Sequence, residues 1–357
     1  MVFDAENTCI TTLSNHCNTC FPLNDQMVKK GKYVNVLEYS HFNGIPYPVI
    51  DASSRPWRLL ADIRYSWSKP LTHEYPLVEQ DVLTSARVRR AASALAAGSQ
   101  TKTKKHEEDQ NYRAVKFFTE ISAKLSKLVC KFCSYVLFKI FRRLIDKLLV
   151  CPDEVKQLHI AEQTGTPLVY LPLHRSHLDY LLITWCNWHF GLKLPHIASG
   201  DNLNLCGLGW LLRATGAFFI RRRIQPDDER GNDSLYRAIL HSYIEKLLAK
   251  NLPIEFFLEG TRSRFGKVLN PKNGLISNVV EAVQNGSICD CYLVPVSYTY
   301  DSVVEGIFLD ELMGVPKKPE NLLGVILNVF SGFSKQKQCG IVRIHYGRPI
   351  LLTVSVT

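Results

Sequence analysis

The sequence predicts an α/β fold: a mixed, largely parallel sheet flanked by helices, with a helical or irregular extension on its N-terminal side. Two observations carry that prediction. From Thr166 onward, short apolar runs alternate with longer segments of helical character, as in a sheet whose strands are joined through helices. Over all 357 residues the apolar fraction is 46%, enough for a substantial core in one large domain with appended segments, or in two domains.

Taken in order, residues 1–94 are rich in aromatics, prolines and polar turn residues, and their weak periodicity assigns them no fold, although "KYVNVLEYSHF" has strand character. Residues 95–112, opening on "LAAGSQTKTKKHEEDQ", read as a linker of small and charged residues. Residues 113–150 predict a basic amphipathic helix. Phe118, Ile121, Leu125, Leu128, Phe132 and Val136 recur at helical spacing, while Lys124, Lys127 and Lys131 share another face. This segment holds nine lysines and arginines against two acidic residues, a pattern that suits either an anionic membrane surface or packing on the next domain with the lysines solvated. Residues 151–357 form the α/β domain. Its strands are "PLVYLPL", "PHIAS", "AFFIR", "PIEFFLE", "CYLVPVSY" and "GIVRIHYG", with helices at 177–190, 203–214, 232–250 and 274–285.

The net charge of +10 attracts anions: nucleic acid, phosphorylated metabolites or acidic lipid. No recognition-helix, RNP-type or zinc-finger pattern supports nucleic acid. Eleven cysteines, with no basic and then apolar signal in the first thirty residues, predict free thiols in a reduced compartment. The pairs Cys17/Cys20 and Cys130/Cys133 lack partners at zinc spacing and read as buried or incidental thiols. No run predicts a transmembrane helix. Asn7 to Asn24 is uncharged but polar, and the most apolar run, Asn321 to Ser334, has fourteen residues with Gly324 and Gly332 inside it.

Clustered polar groups follow three of the strands. After the first comes His174-Arg175-Ser176-His177-Leu178-Asp179, after "GAFF" Ile220-Arg221-Arg222-Arg223, and after "PIEFF" Leu258-Glu259-Gly260-Thr261-Arg262-Ser263-Arg264. In parallel sheets, ligands bind beyond the carboxyl ends of the strands. His174 suits a general base if a carboxylate orients it, and Asp179 is the nearest. On one helix, residues five apart are about 140° apart, so the pair needs His174 in the loop and Asp179 in the first turn. A capping box, Ser176 with Asp179, is the plainer reading of the same residues and is geometrically compatible with it. A metal on His174, His177 and Asp179 lacks an obvious further ligand, and none is expected. Arginines at two other strand ends suit a doubly charged phosphate. No Walker-type loop and no GxGxxG is present, so nucleotide chemistry has no support.

With those residues in view, four ordered motifs over residues 166–300 resemble the glycerophosphate acyltransferases, within the wider group carrying H-x4-D. "HRSHLD" is similar to the first motif, "GAFFIRR" to the second, "FLEGTRSR" to the third and "LVPVSY" to the fourth. "IASGDNLN" and "GRPILL" resemble the glycerol-3-phosphate branch, mitochondrial-type members in particular, and the likeness reaches loosely back to "DVLTSARV". The resemblance implies that residues 151–357 are an acyltransferase catalytic domain. It implies transfer of a fatty acyl group from acyl-coenzyme A to the sn-1 hydroxyl of glycerol 3-phosphate, without a further cofactor. His174 would be the base and Asp179 its orienting partner. Arg221, Arg222, Glu259, Gly260, Thr261, Arg262, Ser263 and Arg264 would form the phosphate and glycerol site, and Pro295 would belong to acyl-donor binding. The expected location is a membrane surface, the mitochondrial outer membrane first, with endoplasmic reticulum or peroxisome as alternatives. Family members usually continue with membrane-spanning helices, so a short form or fragment is expected. The dihydroxyacetone-phosphate branch shares all four motifs and is the nearest rival, followed by lysophospholipid acyltransferases. A non-catalytic lipid-binding short form is the alternative of another class.

Overall fold

The computed structural model describes residues 33–37, 41–42, 45–46, 62–67, 69, 71–97, 104–176, 178–204, 207–221, 232–261, 268–301 and 339–353. Several features named above lie outside these residues: Cys17 and Cys20, His177, Arg222, Arg223, Arg262, Ser263, Arg264 and the run 321–334.

The described strands are β1 (Val34–Asn35), β2 (His41–Phe42), β3 (Ile45–Pro46), β4 (Lys147–Val150), β5 (Leu168–Pro172), β6 (His196–Gly200), β7 (Ala217–Ile220), β8 (Ile254–Glu255), β9 (Tyr292–Tyr300), β10 (Ile341–Tyr346) and β11 (Ile350–Leu351). β2 and β3 pair with each other, and the rest form one sheet in the order β1-β4-β10-β9-β5-β8-β6-β7, with β11 also against β9. β5, β6, β7, β8 and β9 run parallel as one block. β10 lies antiparallel to β9, and β4 parallel to β10, so the far edge runs the other way. The mixed, largely parallel sheet is thus present, and its parallel block holds all the strand ends marked by polar clusters.

Helices cover both faces: α1 (Glu79–Leu83), α2 (Ala86–Ala97), α3 (Lys104–Ile121), α4 (Lys127–Leu144), α5 (Pro152–Gln163), α6 (Asp179–Phe190), α7 (Leu208–Ala214), α8 (Asn232–Ala249) and α9 (Gly274–Gln284). One core packs Phe138, Phe141, Leu182, Trp185 and Trp188 of α4 and α6 against Tyr170, Val296 and Ile344. The other packs Val82, Phe118, Ile121, Tyr243 and Leu247 against Val169, Phe218 and Ile254. Successive strand residues Val169 and Tyr170 enter opposite cores, as the two-residue period of a strand demands. Because both faces are covered, the strands read as continuous apolar runs rather than as alternation.

Two expectations from the sequence change here. Most of the proposed linker 95–112 is helical, since α2 runs to Ala97 and α3 begins at Lys104. The charged run "KKHEEDQ" is the first turns of α3, whose later residues Ala114, Phe117, Phe118 and Ile121 are buried at helical spacing. Nor is 113–150 a single helix. α3 stops at Ile121, a short crossing follows, and α4 and then strand β4 complete the segment. The break has a backbone cause. The amides of Lys124 and Ser126 donate to the carbonyls of Arg213 and Ala214 at the end of α7, at 3.0 and 2.9 Å, and so cannot serve a continuous helix. The apolar stripe divides accordingly: Phe118 and Ile121 are buried, while Leu128 and Phe132 are 68% and 55% exposed.

Part of the N-terminal extension docks on the first core. Asp62, fully buried, pairs with Lys139 and Arg142 of α4, and the Tyr65 hydroxyl meets Nδ1 of His189 on α6. Cys130 and Cys133 sit on α4, where burial pushes their thiols up to about 12 and about 11, so both stay protonated. Among the described residues no helix is long and apolar enough to cross a membrane.

Trp185 stacks on Phe138 at 5.8 Å and meets Phe141 edge-on at 5.7 Å, fixing α6 against α4. Trp185→Ala should therefore cost about 3–5 kcal/mol of stability. Denaturant unfolding of the variant checks this, and a loss near zero would mean that α6 is anchored elsewhere.

Candidate active site

Because β5, β7, β8 and β9 are parallel, the residues just past their carboxyl ends share one rim of the sheet. His174 lies two residues beyond β5, Arg221 one beyond β7, Glu259 four beyond β8, and Tyr300 closes β9. The link from sequence to site is this topology, since no segment by itself brings the four together.

Asp179 opens α6 and is fully buried. Its Oδ2 accepts the backbone amides of Arg175 at 2.6 Å and Ser176 at 2.8 Å, and Nδ1 of His174 lies 3.2 Å away. Its Oδ1 accepts the Tyr300 hydroxyl, and its backbone carbonyl accepts the Tyr298 hydroxyl at 3.0 Å. The capping box expected from the sequence does not form: Leu178 is the N-cap of α6, and the Ser176 hydroxyl accepts the Leu178 amide at 3.1 Å instead of that of Asp179, so Ser176 closes a turn one step before the helix. With Nδ1 as donor to Asp179, Nε2 of His174 is the nitrogen left for a substrate proton. The ring stacks on Phe257 at 4.0 Å, which holds its plane, and the side chain is only 15% exposed.

Glu259 is buried, and it holds protein groups. Oε1 accepts the His174 amide and Oε2 the Leu269 amide, both at 3.1 Å. It therefore ties the loop after β8 to the loop that carries His174. Gly260 is needed where it stands. Its φ is +63°, and a Cβ there would lie 2.9 Å from Cδ of Lys272. Thr261 is exposed beside it.

Arg221 is not free for an anion. Its guanidinium takes both oxygens of Glu120 at 2.8 Å and lies over the rings of Tyr236 at 4.4 Å and Phe117 at 4.9 Å. That ties α3 to the end of β7. Pro295 sits exposed within β9, between the residues paired to β11 and those paired to β10. Its carbonyl accepts the Gly347 amide at 2.7 Å, so its absent N–H faces the gap between the two neighbours and no ladder bond is lost. Of the residues singled out from sequence, the fold brings His174, Asp179, Glu259 and Gly260 to one rim and commits Arg221 to Glu120. Tyr298, Tyr300 and Phe257 were missed. Tyr298 ends the expected strand "CYLVPVSY" and Tyr300 lies two residues beyond it, and nothing in the pattern there pointed to either hydroxyl.

Residues 154–299 match the acyltransferase family model, a span that contains β5 to β8, most of β9 and the His174–Asp179 pair. The chain carries an acyltransferase-family domain. It is homologous to the glycerol-3-phosphate and dihydroxyacetone-phosphate acyltransferases. The probable mitochondrial glycerol-3-phosphate acyltransferase of Caenorhabditis elegans is 71% identical over 354 residues, which are 99% of this chain and 48% of that protein. Mitochondrial glycerol-3-phosphate acyltransferase 1 of Mus musculus is 36% identical over 280 residues, 77% of this chain and 34% of that protein. Human dihydroxyacetone phosphate acyltransferase is 37% identical over 238 residues, 65% of this chain and 33% of that protein. The chain spans about half the length, or less, of these relatives.

Tyr300→Phe removes one donor from the Asp179 carboxylate, worth about 1.5–3 kcal/mol for a bond to a charged group. For the reaction proposed below, the variant's kcat should fall about tenfold to a hundredfold, with the Michaelis constants little changed. Unchanged kcat would leave Tyr300 outside the machinery.

Proposed function

We propose that this chain transfers a fatty acyl group from acyl-coenzyme A to the sn-1 hydroxyl of glycerol 3-phosphate, giving lysophosphatidate. The observation that carries the reading is the His174–Asp179 pair at the rim of an acyltransferase-family domain. In this mechanism Nε2 of His174 takes the hydroxyl proton as the oxygen attacks the thioester carbonyl. Asp179 stabilises the imidazolium that forms. The tetrahedral intermediate then collapses, the carbon–sulfur bond breaks, and the proton passes from the imidazolium to the departing thiolate. No acyl-enzyme and no further cofactor are needed. Arg222 and Arg262, with Ser263 and Arg264 beside them, are proposed to bind the acceptor phosphate, and Pro295 to lie on the acyl-donor side. Glycerol 3-phosphate is preferred to dihydroxyacetone phosphate because the relative at 71% identity bears the former name. The human relative at 37% keeps the second acceptor as the alternative. The names of the first two relatives support a mitochondrial location.

Peripheral binding to an anionic membrane surface belongs to the same proposal, now on a smaller face than the sequence suggested. Leu128 and Phe132 are exposed one helical turn apart on α4, beside exposed Trp67, whose carbonyl accepts Nζ of Lys131 at 3.2 Å. With exposed Lys124 and Lys127 close in sequence, this is a small apolar surface with cations nearby.

Three measurements test these statements. His174→Ala in folded protein should lower transfer by about two to four powers of ten, and Asp179→Asn should also lose most activity. Near-normal turnover in either would sink the mechanism. Arg222→Ala or Arg262→Ala should raise the Michaelis constant for glycerol 3-phosphate by about one to two powers of ten, with acyl-coenzyme A little affected. Equal weakening of both substrates would move the acceptor pocket elsewhere, and faster turnover of dihydroxyacetone phosphate would favour the alternative acceptor. On anionic liposomes, changing Lys124, Lys127 and Lys131 to Glu should weaken binding by about 1 kcal/mol per lysine, as should added salt. Unchanged sedimentation would leave α4 as an ordinary packed helix.

A further inference from the structure

Glu255 is the second residue of β8, in register with Tyr170 of β5 on one side and Ile197 of β6 on the other. Its chain neighbour Ile254 enters the core under α8, while Tyr170 faces the core under α6. Glu255 therefore points to the α6 side, the side on which Asp179 opens the helix. It is fully buried, and neither of its carboxyl oxygens has a hydrogen-bond partner. Two more polar atoms on that side, the Tyr170 hydroxyl and Nδ2 of Asn187 on α6, are buried close to one another without a well-aligned hydrogen bond between them. Oδ1 of Asn187 accepts the Tyr346 hydroxyl at 3.3 Å, so only its amide nitrogen is left over.

Two carboxyl oxygens without a donor, next to a poorly aligned Tyr170–Asn187 contact, break the rule that buried polar groups are satisfied. An ionised carboxylate buried without a donor costs several kcal/mol, whereas a neutral acid needs only ordinary hydrogen bonds. A buried water with two to four polar partners supplies these. We propose that Glu255 is a neutral acid that, with Tyr170 and Asn187, holds buried water beneath the His174–Asp179 pair, so that Asp179 remains the one negative charge acting on the imidazole from this layer. The other groups that act on this layer are the Asp179 carboxylate and the Tyr298 and Tyr346 hydroxyls, which are also buried. Burial, reinforced by the Asp179 carboxylate, pushes the Glu255 acid well above its ordinary range. An anion at Glu255 would add a second negative charge beside Asp179 and strengthen the hold of the imidazole on its proton. A neutral acid leaves the imidazole able to accept one. This second step rests on the reading of His174 as the base.

Infrared difference spectra of the full chain against Glu255→Gln, at neutral pH, read the acid without turnover. The expected result is loss of a carboxylic-acid carbonyl band, and loss of carboxylate bands instead would overturn the proposal. Because Gln is neutral and nearly isosteric, the acid limb of the kcat/KM profile, which reports the general base, should stay in place in this variant. A shift of that limb to lower pH would mean that Glu255 carries charge in the native protein, against the proposal. A crystal structure should show ordered water within hydrogen-bond distance of Glu255 and Tyr170, and a direct bond between the two with no water density would refute the water site. If the protein transferred no acyl group at all, the function proposed above would fail, while the spectrum would still decide the state of Glu255.

Discussion

Burial of the Asp179 carboxylate is the constraint on which the rest of the site depends. Taken out of water, that anion must be met by donors, and the chain supplies them from two places. The amides of Arg175 and Ser176, with Nδ1 of His174, come from the loop before α6, and the Tyr300 hydroxyl comes from the far end of β9. Satisfying the charge therefore fixes the loop, the imidazole and the relative placement of two strands at once. Glu259 acts in the same way one strand over, accepting the amide of His174 itself and of Leu269. His174 is held through its ring by Asp179 and through its backbone by Glu259, with Phe257 against its face.

The same logic picks out charged residues that hold the scaffold. Glu259 and Arg221 look alike in sequence, as charged groups just beyond strands, yet both spend their charge on protein partners. Arg221 pairs with Glu120 of α3, a helix outside the span matched by the acyltransferase family. The extension before that span is thus joined to the rim rather than tethered to it. Asp62 repeats the pattern on the opposite face, where it meets Lys139 and Arg142 of α4. Helices from the extension brace both sides of the sheet, and the apolar surface left over on α4 is correspondingly small.

Much was legible in the chain alone because it is written at local range. Apolar runs of strand length separated by helical segments placed β5, β6, β7, β9 and β10 and the helices α6, α8 and α9 close to where they lie. His174 and Asp179, five residues apart across a loop-to-helix boundary, could be paired from spacing alone, and the structure sets Nδ1 and Oδ2 3.2 Å apart although the Ser176 cap expected between them is not formed. The segment 113–150 failed for an equally physical reason. Helical periodicity continues through Leu125, but the amides of Lys124 and Ser126 are claimed by carbonyls some ninety residues away, at Arg213 and Ala214. No local pattern reports a long-range hydrogen bond. The two tyrosines on Asp179 were hidden likewise, since alternation along β9 gives the side a residue faces and not the atom its hydroxyl reaches. By itself, then, the sequence determined the alternating α/β order and the local histidine–aspartate pair, because both depend on neighbours in the chain. Only the tertiary structure decided which charges are consumed by the scaffold and which buried carboxyl is left without a donor, because those depend on what the folded chain brings across the sheet.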